Sequence, residues 1–251
     1  MTKRSDIDGG RLIYTKEIGW IDKGHAKGED ASTLMSVLTA GDYSTKEPYF
    51  TLKYTQLMSV LTAGDYSTKE PYFTLKYTQY MGRGRSYGVS KITRWKVRRG
   101  LSDNDKKRVA LTIIMYTTHK FESLQDAFPF SWFTDSGYSG EDCISNLLGF
   151  YRAVSDVDPM TYLTVLSKEE AYRRWDYYGS IGKYKNKLFK PLIFPDPAIY
   201  PNNARPYFVS LPCYLDRVKP IEDIRNNSIL IHVKDTTGIN IGAESEWIKI
   251  E

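Results

Sequence analysis

The polar and apolar positions of this chain alternate with two different periods in different stretches. RLIYTKEIGWID reads as an early strand or strand pair, KGHAKGED as a loop, and the stretch from about Asp30 as a helix. Period-two alternation returns in YFTLKYT, where Phe73, Leu75 and Tyr77 share one face and Thr74, Lys76 and Thr78 the other. VSKITRWKV alternates in the same way, with Val89, Trp95 and Val97 on one side, after a GRGRSYG turn. SDNDKKRVALTIIMYTTHKFESLQ has the helical period through Val109, Ile113 and Phe121, with Ser102 as its cap and Asp103 and Asp105 in the first turn. SGEDCISNLLGFYRAV follows as a second helix, with Ser139 and Asp142 placed as a variant capping box. SKEEAYRRWDYYG is a third, with Ser167 and Glu170 in the full capping-box pattern and Gly179 as its stop.

Residues 187–220 break both periods. PLIFPDPAIYPNNARPYFVSLP contains six prolines, which predicts an extended segment over the surface, before SILIHVKD and WIKIE resume as strands. The expected class is α+β: one domain over 1–251, with a mixed or antiparallel sheet from N- and C-terminal strands packed against a central helical layer.

A 23-residue string, LMSVLTAGDYSTKEPYFTLKYTQ, fills 34–56 and again 57–79 without a difference. Two identical units do not make a solenoid, which needs about three or more repeats. The string begins inside a helix and ends inside a strand, so one site in the fold has two candidate occupants. Chain connectivity predicts a hybrid: the helical half from copy one, the strand half from copy two, and the stretch from about Asp42 to Asp65 displaced to the surface or exchanged with a second molecule in a homodimer. An engineered insertion and an in-frame duplication that blunts a harmful gene both account for the repeat. The parental chain then has 228 residues.

Composition narrows the classes. At 41% hydrophobic and 14% aromatic, the 251 residues can bury a core, which excludes a disordered chain. Two cysteines exclude a disulfide scaffold. The N-terminus lacks a signal peptide's apolar stretch and no run approaches a membrane span, so the expected place is the cytoplasm, with export by a specialised secretion system for an effector. Thirty-five Lys and Arg against 30 Asp and Glu, a net +5, suit an anionic partner such as cell-wall polymer.

Four kinds of chemistry are candidates. Cys143, near the start of a helix, is a candidate thiolate, and equally a small core residue on the stripe with Leu147 and Val154. His25 lies in a polar loop. His232, in SILIHVKD, alternates with apolar neighbours and is a possible partner for a helix-borne thiol, or a sheet histidine. His119 and Glu122, one helical turn apart, supply at most two metal ligands, so no metal or other cofactor is expected. Glu122 and Glu141 can act as acid and base on a glycosidic bond, or Glu141 can serve its helix dipole. YMGRGRSYGVSKITRWKVRRG has seven basic residues and no acid. With Tyr87 and Trp95 interleaved it fits phosphate binding or base stacking, and also a strand edge guarded by charge.

GWIDKGHA followed by GYSGEDCISNLLGFYRAV resembles circularly permuted papain-like hydrolases of the NlpC type. The same segments are similar to uncharacterised bacterial proteins with a GWID-GH segment and an acidic, SN-containing helix. The papain-like resemblance implies His25 as base, Cys143 as nucleophile and backbone amides of the helix start as oxyanion donors. The expected substrate contacts are Trp20, Asp22, Ser145 and Asn146, joined by Arg94 of the basic stretch. The expected activity is a bacterial hydrolase acting on peptide, acyl or related amide or ester bonds of the cell envelope, as an antibacterial effector with a cognate inhibitor protein. The alternatives are a carboxylate-dependent glycan hydrolase and a non-enzymatic binding protein for an anionic polymer.

Overall fold

The computed structural model describes residues 2–40, 62–63, 71–83, 87–126, 138–202, 204–241 and 248–250. The chain is α+β, with two separate sheets, and divides into two compact units: Met1–Glu29 with Glu122–Arg217, and Asp30–Phe121 with Val218–Glu251. The N-terminal strands lie in one sheet and the C-terminal strands in the other.

In the first unit a short helix α1 (Ser5–Asp8) leads into the hairpin of β1 (Leu12–Thr15) and β2 (Gly19–Asp22). Gly19 has φ +78°, and a Cβ there would stand 2.2 Å from the Leu192 carbonyl oxygen, so only glycine lets β2 run beside β6 (Leu192–Ile193). β7 (Tyr207–Phe208) completes the order β1-β2-β6-β7. Thus the proline-rich stretch contributes two short strands. Helix α5 (Lys168–Tyr178) forms with its Ser167–Glu170 capping box in place and ends at Gly179. Ile7, Leu12, Tyr14, Trp20, Ala171, Tyr178, Ile181, Leu192 and Phe194 make one buried cluster. Within it the Tyr14 hydroxyl donates to the Phe194 carbonyl at 2.9 Å and accepts the Phe194 N–H at 2.8 Å, which lets a phenol sit in the core without an orphaned polar atom.

In the second unit β3 (Thr62–Ala63), β4 (Tyr72–Arg83), β5 (Tyr87–Arg98), β8 (Leu230–Ile241) and β9 (Ile248–Ile250) form an antiparallel sheet in the order β3-β4-β5-β8-β9. Phe73, Leu75, Tyr77, Trp95, Val97 and Leu230 are buried on its inner face. Against that face packs helix α3 (Asp103–Asp126), whose last turn belongs to the first unit. The contact is part polar: Gln79 Nε2 donates to Thr118 Oγ1 at 2.9 Å, the Thr93 and Thr117 hydroxyls meet at 2.8 Å, and Trp95 meets Tyr116 edge to face at 5.1 Å. Ser102 caps α3 by accepting the Asp105 N–H.

The duplicated string is used unequally. Helix α2 (Glu29–Ala40) takes Leu34–Ala40 from copy one, burying Leu34, Val37 and Leu38, and β4 takes its strand from copy two. The same dipeptide ends a helix as Thr39–Ala40 and pairs with Lys76 and Leu75 as strand Thr62–Ala63. Phe50, Leu52 and Tyr54 of copy one lie outside the described residues, as does most of the 42–65 stretch.

Candidate functional site

Two clusters can do chemistry, one in each unit. The first surrounds the start of helix α4 (Asp142–Val154). His25 is brought to α4 by a single helical turn at 25–27 that ends at Gly28, which has φ +79°. A Cβ on Gly28 would stand 2.3 Å from the Gly149 carbonyl oxygen, and one on Gly149 would stand 2.7 Å from the His25 carbonyl oxygen. Two glycines therefore set how closely the His25 turn rests on α4.

That approach gives His25 its partners: Nδ1 lies 3.3 Å from Asn146 Oδ1, and Nε2 lies 3.7 Å from an Asp142 carboxylate oxygen. Asp22 sits beside this pair. Its two oxygens accept from Arg11 Nε at 3.2 Å and Arg11 Nη2 at 2.7 Å, and one also accepts the Gly24 N–H at 2.7 Å. Burial raises the Asp22 pKa, but the charge of His25 and the bonds from Arg11 and Gly24 outweigh it and hold the carboxyl below its ordinary value. Ser145 ties strand to helix: its hydroxyl accepts the Asp22 N–H at 3.0 Å and donates to the Glu141 carbonyl at 2.6 Å.

Glu141 is buried, and its two carboxylate oxygens accept from the Thr2 hydroxyl at 2.6 Å and from the Ser139 hydroxyl. This displaces the expected capping box: with Ser139 bonded to Glu141, α4 has no side-chain cap. Glu122, in the last turn of α3, accepts the Tyr138 N–H at 2.6 Å. Burial, opposed by that bond, and then the charge of Glu141 push Glu122 up to about 7. Burial followed by the charges of Glu141, Glu122 and Asp22 pushes Asp142 well above the ordinary range of a carboxyl.

These surroundings disfavour the Cys143 thiolate. Cys143 is 0% exposed, and burial, then Glu122, Asp142 and Glu141, push its thiol well above its usual value. The ring nitrogens of His25 face Asp142 and Asn146, so the packing alternative for Cys143, with buried Leu147, is the one its environment fits. Trp20 is likewise a core residue, edge to face with Tyr14 at 5.1 Å and with Trp175 at 6.2 Å. Asp22 and Ser145 are consumed by the network. His119 is exposed and Glu122 buried, and among the described residues no group of three potential metal ligands forms.

The second cluster is the outward face of the five-stranded sheet. β5 is not an edge: it pairs with β4 on one side and β8 on the other. Guarding an edge cannot therefore explain its charges. Alternation turns Thr93, Trp95 and Val97 inward and Arg94, Lys96 and Arg98 outward, with Lys96 and Arg98 exposed. Trp95 is 0% exposed, with its Nε1–H donated to Thr93 Oγ1 at 2.8 Å, which removes it as a stacking platform.

Register then adds residues that reading along the chain misses. Lys76 of β4 stands opposite Arg94, and Arg94 opposite Lys234 of β8, giving a row of three cations across three adjacent strands. A bulge at Val233 keeps this phase, because Trp95 pairs with His232 while Arg94 pairs with Lys234. No outward position of β4, β5 or β8 is Asp or Glu. Arg94 also donates to Thr236 Oγ1 at 2.8 Å, which fixes its guanidinium along the face. On the inner face His232 Nε2 is 2.8 Å from Asp235 Oδ1, so its partner is a carboxylate and not a thiol. Among the described residues no helix is long and apolar enough to cross a membrane. No protein-family model, curated protein or solved structure matches this chain.

Proposed function

We propose that this protein binds an anionic polymer through the outward face of its five-stranded sheet. One observation carries the reading: Lys76, Arg94 and Lys234 stand directly opposite one another across three strands, with Lys96 and Arg98 on the same face. A polyanion laid on this face exchanges its own counterions for these cations, which is what makes such binding tight at low salt. The net +5 of the chain draws such a partner in. Charge reversal of the two exposed members tests it. Lys96→Glu with Arg98→Glu is expected to abolish retention on an immobilised polyanion in 50 mM salt without changing the melting temperature by more than a degree or two. Unaltered retention would sink the proposal.

A further inference from the structure

We propose that the groove in the β6–β7 connection binds an extended, apolar peptide that carries a carboxylate, the peptide pairing with the open edge of β7 and its carboxylate meeting Arg205. Pro195, Ile199, Tyr200, Asn202, Arg205 and Tyr207 line this groove of about 610 Å³, and all of them belong to the first unit. None of the cations of the five-stranded sheet takes part, so this site stands or falls apart from polyanion binding.

The turn that carries Ile199 and Tyr200 is fastened at Asp196. The Asp196 carbonyl accepts the Ile199 and Tyr200 N–H groups at 3.0 Å each, and its carboxylate accepts the Ala198 N–H at 2.9 Å and Arg173 Nη2 of α5 at 2.9 Å. Tyr178, also of α5, donates its hydroxyl to the Pro195 carbonyl at 3.0 Å. Pro195, Pro197, Pro201 and Pro206 fix φ along the same connection. A wall fixed in this way loses little freedom when a partner is laid on it. Its large apolar groups nevertheless stand in solvent: Ile199 is 70% exposed, Tyr200 58% and Tyr207 52%. Three such side chains around one groove mark a contact surface.

Backbone and charge select the occupant. β7 ends the order β1-β2-β6-β7, and among the described residues no strand pairs with its far side. The Val209 N–H is donated to the Pro191 carbonyl at 3.1 Å, so residues 207 and 209 turn their backbone groups to β6. Phe208 therefore turns its N–H and C=O to the open edge, where an extended chain can pair with both. Tyr207 belongs both to β7 and to the groove, so a strand added at Phe208 runs on past Tyr207 towards Arg205. Arg205 is the one charged residue lining the groove and makes no ion pair among the described residues, which suits a carboxylate. A small ligand fits less well, because it needs about 70–90% of its surface covered and these walls are themselves more than half exposed.

Three bead libraries of hexapeptides, randomised over valine, isoleucine, phenylalanine, threonine and serine and probed with the labelled full chain, test the proposal. One library ends in a free carboxylate, one ends in an amide and carries a single internal aspartate, and one has an amide and no acid. The chain should select peptides from the first or the second library, which tells a terminal from a side-chain carboxylate, and bind them about tenfold or more tightly than their acid-free counterparts. Arg205→Gln should erase that difference, and Tyr207→Ala should weaken every selected peptide by about fivefold or more. Both side chains are exposed, and melting curves verify that the variants fold. Binding should also slow hydrogen exchange at the Phe208 amide and leave the Val209 amide, already bonded to Pro191, unchanged. Selection of no peptide, equal binding of acid and amide forms, or unchanged exchange at Phe208 overturns the proposal. Phenylbutyrate that binds as tightly as the selected peptides, without slowing Phe208, would make the groove a small-ligand site instead.

Discussion

Glu122→Gln isolates the energetic consequence of packing carboxyls around the start of α4. Glu122 is pushed from an ordinary 4.5 up to about 7, chiefly by burial and further by Glu141, against the Tyr138 N–H and Lys185, which act the other way. A carboxyl that keeps its proton to higher pH when folded contributes stability that is complete below its unfolded pKa and is lost as pH rises to its folded pKa. For Glu122 that window runs from about pH 4.5 to about pH 7, and the shift corresponds to about 3 kcal/mol. Asp142, also raised, adds a slope of the same sign. Glutamine keeps an oxygen to accept the Tyr138 N–H but cannot ionise. Urea denaturation at pH 5, 6, 7 and 8 should therefore show the wild type losing stability as pH rises, and Glu122→Gln losing about 2.5 kcal/mol less over the same range. Parallel curves for the two proteins would refute the raised Glu122 and the account of the cluster built on it.

Other consequences are as direct. In the native protein a thiol reagent at pH 8 should modify exposed Cys213 and not Cys143, and unfolding should release the second thiol; two fast-reacting thiols would restore the thiolate reading. Gly28→Ala places a Cβ 2.3 Å from the Gly149 carbonyl at a positive φ, and should cost at least about 2 kcal/mol and move the His25 ring resonances; a neutral substitution would mean that the His25 turn does not rest on α4 as described. Deleting 57–79 should give a 228-residue chain that melts at a higher temperature, because α2 takes its end from copy one, β4 takes its strand from copy two, and a long connection disappears. A deletion product that unfolds would show that both copies belong to the core.

Local pattern made much of this legible. The inward turn of Trp95, the cap at Ser102 and the capping box of α5 follow from alternation or from residues three apart, and they appear in the structure. What failed was long-range or competitive. The Ser139–Asp142 box looked complete in sequence, yet the Ser139 hydroxyl goes to Glu141, a partner that capping rules do not consider. The basic stretch looked like an edge because pairing of β5 with β8, more than a hundred residues later, has no local signal. For the same reason Lys76 and Lys234 joined the cationic face only through register. Thr39–Ala40 and Thr62–Ala63 show the limit of local reading most directly, since one dipeptide ends a helix and enters a sheet in the same chain. Chain connectivity, which the repeat does not hide, is what anticipated which copy serves α2 and which serves β4.

The central claim is that the cations on one sheet face grip a polyanion, and the salt dependence of binding measures it most directly. With Arg94, Lys96 and Arg98 each neutralising one phosphate, log Kobs for a single-stranded oligonucleotide against log salt should fall with a slope of about −2. Lys96→Ala should bring the slope up by roughly 0.7. A slope near zero, or one that Lys96→Ala leaves where it was, would contradict the account.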